Sequence, residues 1–202
     1  MSSHHFVKEQ QEPAVLFLDT SQMSFDQVSP LLEWVPTVLV WESCLEQVLS
    51  WGIKIDVILA TEQFQKENLN LLEEQYPVRF YTSTPKNMLK DSLLYLRTTQ
   101  HQAAHLVGFP HYRALELKEF SEGMDLTILK GDWKYYPVSG SFKKWFPEST
   151  LEIFAREGLP VEISNENGTL ILPITYITQI EVPEGITEFK SPEEIWIGEK
   201  TS

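Results

Sequence analysis

Short apolar runs separated by stretches of helical spacing constrain this chain more than any other feature. Ala14-Val15-Leu16-Phe17-Leu18 is the first run, and Thr37-Val38-Leu39-Val40-Trp41 the second. Asp56 to Leu59, Val78 to Tyr81 and Ala103 to Gly108 continue the series, and Asp125 to Leu129 is a sixth. A strand that is apolar at nearly every position is buried on both faces, which is the mark of a parallel sheet. Between the runs lie segments with apolar residues at helical spacing. Residues 24–34 carry Phe25, Val28, Leu31, Leu32 and Trp34, and Pro36 closes that segment. Leu45, Val48, Leu49 and Trp51 follow, with Gly52 as a stop. Asn68 to Gln75, Asp91 to Gln100 and Ala114 to Phe120 complete the helical set. Alternation of this kind predicts an open, mostly parallel sheet with helices on both faces and right-handed crossovers.

The pattern changes after about residue 132. Trp133 to Val138, Thr150 to Phe154, Thr169 to Leu172, Ile174 to Ile177, Ile186 to Phe189 and Glu194 to Ile197 are short β-like runs, punctuated by Pro147, Gly158, Pro160, Asn167-Gly168, Pro173, Pro183, Gly185 and Pro192. No helical period is visible there. The expected organisation is an α/β domain over residues 1–132 and a small β-sandwich or barrel over 133–202.

Bulk properties exclude several functions. The formal net charge is −13, from 29 acidic and 16 basic residues. A nucleic-acid partner is therefore not expected, since such proteins present basic faces. A polyanionic substrate would need a local basic patch working against the overall field. The single cysteine, Cys44, has no internal disulfide partner and no adjacent base, so it reads as a helix-packing residue in a reducing compartment. No apolar stretch approaches the ~20 residues that span a bilayer. Met1 to Pro13 is polar and lacks a signal-peptide core, and His4-His5 within it reads as neither a tag remnant nor a metal site. The expected location is the cytoplasm, with no membrane partner.

Several segments match a known family in register. Leu32-Glu33-Trp34-Val35-Pro36-Thr37-Val38, Gly52-Ile53-Lys54-Ile55-Asp56-Val57 and Phe142-Lys143-Lys144-Trp145-Phe146-Pro147, together with the opening Met1–Ala14, fall where it has similar stretches. On these the chain resembles bacterial thiamine pyrophosphokinase along nearly its whole length. The resemblance implies an α/β domain that handles nucleotide, a β domain that grips thiamine, and a homodimer joined through the β domain. It also implies transfer of a pyrophosphoryl group from ATP to thiamine, with Mg²⁺ held by carboxylates to neutralise phosphate charge.

The family's three catalytic motifs are altered here. A Gly-Asp-x-Asp-Ser motif after the third strand corresponds to Ala60-Thr61-Glu62-Gln63-Phe64, with Glu62 as the only acid. A Lys-x-Asp loop after the fourth strand corresponds to Lys86-Asn87-Met88, with Asp91 three residues on. A Gly-x-Arg-x-Asp-His motif after the fifth strand corresponds to Gly108-Phe109-Pro110-His111-Tyr112-Arg113-Ala114-Leu115-Glu116. Arg113 matches the arginine, and Leu115 and Glu116 stand at the aspartate and histidine. In the β domain, Gly158-Leu159-Pro160-Val161 lacks the family's aromatic, Thr175 to Pro183 lacks its Ser-Asn pair, and Ser164-Asn165 reads as part of a turn.

Lys86, Asp91, His111, Arg113 and Glu116 are thus candidate ligand-binding residues, and Glu62 a weak metal candidate. Against each stands a plain structural reading: Lys86 solvated beside Asn87 as a helix cap, His111 on a surface loop. Mg²⁺ held with substrate phosphates needs one or two protein carboxylates, and all three metal-facing loops have lost theirs. The sequence therefore predicts a catalytically degenerate relative that binds a small anionic or thiamine-like ligand, or serves as an interaction subunit. Lys86 and Arg113 favour the ligand version. Exposed aromatics among Trp133, Tyr135, Tyr136, Trp145 and Trp196 would favour the interaction version. The alternatives are an active enzyme using ATP and a rebuilt Mg²⁺ site, or a different phosphotransferase or nucleotide-binding regulator on the same scaffold.

Overall fold

The computed structural model describes residues 12–201; His4, His5 and the rest of the polar start lie outside them. The described chain forms two compact units. One holds the residues up to Phe109 together with Gly123–Asp125, and the other Pro110–Glu122 and the residues from Leu126 onward.

The first unit is a parallel sheet. Its strands are β1 (Ala14–Phe17), β2 (Val38–Trp41), β3 (Val57–Ala60), β4 (Arg79–Thr82) and β5 (Ala103–Val107), in the order β5-β1-β2-β3-β4. β1, β2 and β3 are buried at every residue. Successive side chains on a strand point to opposite faces, so burial at every position means both faces are covered. On one face Val15, Phe17, Val38, Val40 and Ile58 pack with Val28, Cys44, Leu45 and Val48. Cys44 is therefore a core residue, as its sequence context predicts, and burial pushes its thiol pKa up.

The helices are shorter than the apolar spacing predicts. Residues 24–34 form α1 (Phe25–Val28) and a 3-10 turn, Ser29–Leu32, in which Pro30 sits early and removes a donor. Helix α2 (Leu45–Ser50) ends at Gly52, which has φ +70° as a helix stop requires. The stretch expected as one helix over 68–75 contributes only α4 (Leu71–Glu74), and α3 (Glu62–Glu67) precedes it. Helix α5 (Met88–Thr98) buries Ser92, Leu93 and Leu96.

The second unit is antiparallel. It opens with a 3-10 segment, His111–Leu117, and α6 (Lys118–Ser121). The strands are β6 (Asp125–Lys130), β7 (Trp133–Phe146), β8 (Ser149–Phe154), β9 (Pro160–Asn165), β10 (Gly168–Pro173), β11 (Ile177–Val182) and β12 (Gly185–Lys200). β6 does not extend the parallel set: it pairs antiparallel with β7, Ile128 opposite Tyr135, across a tight turn with Gly131 at φ +55°. β7 and β12 pair along most of their length, with a register shift between Ser191 and Ile195. Before the shift β12 pairs with β9, and after it with β8. The two long strands are thus shared between two leaves. Phe146, Leu151, Ile153, Val161, Ile163, Phe189 and Ile197 form the apolar core between them.

Candidate functional site

In open α/β sheets, ligands sit beyond the carboxyl ends of the strands, where the strand order reverses. Here the reversal lies between β1 and β5. The two following loops close on each other: Leu18 N and Asp19 N both donate to the Val107 carbonyl, at 3.0 and 3.3 Å. Gly108 has φ +79°, and a Cβ there would lie 1.8 Å from the Asp19 carbonyl oxygen. Only glycine fits this approach.

After β2, Glu42 accepts a hydrogen bond from Thr61 N at 2.7 Å and one from Thr61 Oγ1 at 3.1 Å. Thr61 Oγ1 in turn accepts from Phe64 N at 3.3 Å, capping α3. The loop after β3 is therefore a capped helix start. Gln65 Nε2 crosses to the Ala60 carbonyl at 3.0 Å and to Thr82 Oγ1 at 3.1 Å. Glu62 points to solvent and meets Lys66 at 3.7 Å, one helical turn on. After β4, the buried Ser83 hydroxyl donates to Asp91 Oδ2 at 2.7 Å. Asn87 is the N-cap of α5 by position, but its side chain makes no capping bond. Lys86 is exposed in the turn before it.

The remaining candidates belong to the second unit. Arg113 forms a two-pronged pair with Glu116, Nε to Oε1 at 2.7 Å and Nη2 to Oε2 at 2.6 Å. Hydrogen bonding in this pair raises the arginine pKa and lowers that of the glutamate. His111 is not on an open surface loop. Its ring stacks on Tyr135 with centroids 4.8 Å apart and stands edge-on to Phe154 at 5.3 Å. Burial lowers its pKa, so the imidazole is neutral near pH 7. Below the stack, Tyr135 Oη donates to the buried Glu152 at 2.9 Å, and Gln179 Nε2 donates to the other carboxylate oxygen at 3.0 Å. Burial, reinforced by Glu152, drives the Tyr135 phenol pKa well up. Gly198 lies against this ring, where a Cβ would come within 2.3 Å of it.

Each acid standing in or beside a motif position thus has a local partner: Glu62 with Lys66, Asp91 with Ser83, Glu116 with Arg113. These positions do not fit a Mg²⁺ ion. Among the described residues no group of three or more His, Cys, Asp or Glu side chains is placed to hold a metal. Ser164 and Asn165 also have local roles at the β9–β10 hairpin. Ser164 Oγ pairs with Thr169 Oγ1 at 2.9 Å, and Asn165 Oδ1 accepts from Asn167 N at 2.9 Å. Glu42 and Glu152 are the polar centres that sequence reasoning missed. Glu42 was findable, because it directly follows the apolar run that ends at Trp41. Glu152 carries no sequence signal beyond its place in an alternating strand.

No model of a protein family matches the chain, and no curated protein matches it in sequence. Solved structures match over nearly all of it. Thiamin pyrophosphokinase from Geobacillus thermodenitrificans aligns with a TM-score of 0.72 at 8% identity, covering 94% of this chain and 97% of that one. The Bacillus subtilis thiamine pyrophosphokinase gives 0.68 at 8% identity, covering 94% and 98%. The yeast enzyme gives 0.68 at 6% identity, covering 96% and 87%. The chain has the fold of these thiamin pyrophosphokinases. Among the described residues no helix is long and apolar enough to cross a membrane.

Proposed function

We propose that this chain is a thiamine-pyrophosphokinase-fold protein that has lost pyrophosphoryl transfer and acts as a ligand-binding or interaction subunit in the cytoplasm. One observation carries the reading. The acids that remain in or near the three motif loops are engaged by neighbours on their own element or loop. Phosphoryl transfer rests on positioning and charge neutralisation, and those loops offer neither a carboxylate pair nor a glycine turn after β3. The exposed Lys86 is a cation available to a small anionic ligand. Arg113 would first have to leave Glu116.

The interaction version has its own support. β10 is an edge strand whose Leu170 and Ile171 are 56% and 62% exposed, and Trp145 is also exposed. An edge of this kind is a template for pairing with another chain. A homodimer through the second unit would cover it, and sedimentation equilibrium reads that directly.

The test of the catalytic reading is a thermal-shift titration with Mg-ATP, ADP, thiamine and thiamine diphosphate, with and without EDTA, beside an assay of pyrophosphoryl transfer. Binding to the native state raises the midpoint with ln(1 + [L]/Kd). A shift with ADP, thiamine or thiamine diphosphate that is indifferent to EDTA, without transfer, is the expected result. An EDTA-sensitive shift with ATP and measurable transfer would replace this reading with an active enzyme on a rebuilt metal site.

A further inference from the structure

A cavity lies at the other end of the first unit's sheet. It encloses about 520 Å³ where β2 begins and just before β3, at the amino ends of the strands. Ligands of open α/β sheets sit at the carboxyl ends, so the general rule does not account for this one. Its lining includes three aromatic residues, Phe25, Trp34 and Trp51. Trp51 is fixed by the core, its ring tilted against Phe17 at a centroid distance of 6.2 Å. Trp34 is 72% exposed and has no ring contact among the described residues. The next residue, Val35, is 79% exposed and holds φ +54°. A β-branched residue in the left-handed region is strained, and such strain clusters at ligand clamps.

The charges at the cavity select the ligand. Glu12 and Asp56 both line it, against one lysine, Lys54. Asp56 Oδ2 accepts from Val38 N at 2.8 Å, which fixes the carboxylate. Its Oδ1 makes no hydrogen bond among the described residues and remains an acceptor. Lys54 is exposed between the buried Ile53 and Ile55, and its long stem lets the ammonium extend into water. Aromatic residues beside a fixed carboxylate, a second carboxylate at Glu12 and a lysine that can swing away suit a positive charge, which the ring quadrupoles attract.

We propose that this cavity is a binding site for an aromatic organic cation. The inference does not rest on the functional reading above, because it uses none of the loops at the carboxyl ends.

The test uses a cationic probe, (4-hydroxyphenyl)trimethylammonium, its neutral isostere 4-tert-butylphenol, and a smaller anionic phenol, 4-hydroxybenzoate. Calorimetric titration of the full chain should give affinity in that order, with the cation about ten-fold above the neutral isostere. Trp34→Ala and Glu12→Gln should each weaken the cation by about three-fold or more. Both change exposed or rim positions, so folding should survive, and an unchanged melting temperature checks this. Equal binding of cation and isostere, a preference for the anion, or binding indifferent to both variants would overturn the proposal. No binding of any probe would overturn it too.

Discussion

Two glycines with the same backbone sign have different reasons to be glycine. Gly108 sits at φ +79° with the Asp19 carbonyl 1.8 Å from where a Cβ would be, whereas Gly158 sits at φ +77° with open space around it. Gly158→Ala meets only the left-handed penalty, about 1 kcal/mol. Gly108→Ala adds a backbone collision between the β1 and β5 loops and should cost ~3 kcal/mol or more, or prevent folding. Urea unfolding of the two variants separates these effects. Equal losses would mean that the loops are not in contact. Val35 presents the converse case: φ +54° without a glycine, at a position that is largely exposed. Asn tolerates this region, so Val35→Asn should gain about 1 kcal/mol in the same assay. A loss would show that Val35 makes contacts which repay its strain.

At the level of elements, what sequence made legible tracks how local the cause is. β1, β2 and β3 are readable because burial on both faces leaves an unbroken apolar run. Helix α3 is not, because Glu62–Glu67 contains one apolar residue, Phe64, and so has no period to find. Its start is instead set by Thr61 at the cap and by Glu42 arriving from the next strand, a contact spanning nineteen residues. Strand β9 alternates Val161 and Ile163 with polar residues but begins at Pro160, and a proline reads as a break. Ile174 to Ile177 reads as continuous strand, yet 174–176 connect β10 to β11, with Tyr176 at φ +57°. The candidate site divides the same way. That the loop after β3 holds a single acid, Glu62, is visible in sequence. The partners that Glu62, Asp91 and Glu116 have taken are matters of side-chain placement. Thr61 tests the element-scale account. Thr61→Ala removes the cap and one donor to Glu42 and should cost ~1–2 kcal/mol. Thr61→Ser keeps the hydroxyl and should restore most of that in chemical unfolding.

For the whole molecule, acidity and two partly or fully buried histidines pull in opposite directions. At −13 the chain repels itself near neutral pH, and acidification relieves that repulsion. His101 and His111 work the other way. His101 is buried in the first unit between Thr99 Oγ1 and Thr37 Oγ1, at 2.9 Å from each, and His111 lies in the aromatic stack of the second. Burial is the leading cause of a lowered pKa at both. As pH falls through the ordinary imidazole range near ~6.5, the unfolded chain takes up protons that the folded chain refuses. Each histidine therefore removes stability on acidification, and the loss levels off below its own folded pKa. The charge background is almost unchanged in single variants, so their difference from the parent isolates each contribution. His101→Gln and His111→Phe should each flatten the fall in stability between about pH 7 and pH 5. Because the two rings lie in different compact units, any separation of the unfolding transitions would assign one ring to each. His101→Gln would alter only the first unit's transition and His111→Phe only the second's. Unchanged pH slopes in both variants would show that neither imidazole is held neutral by burial.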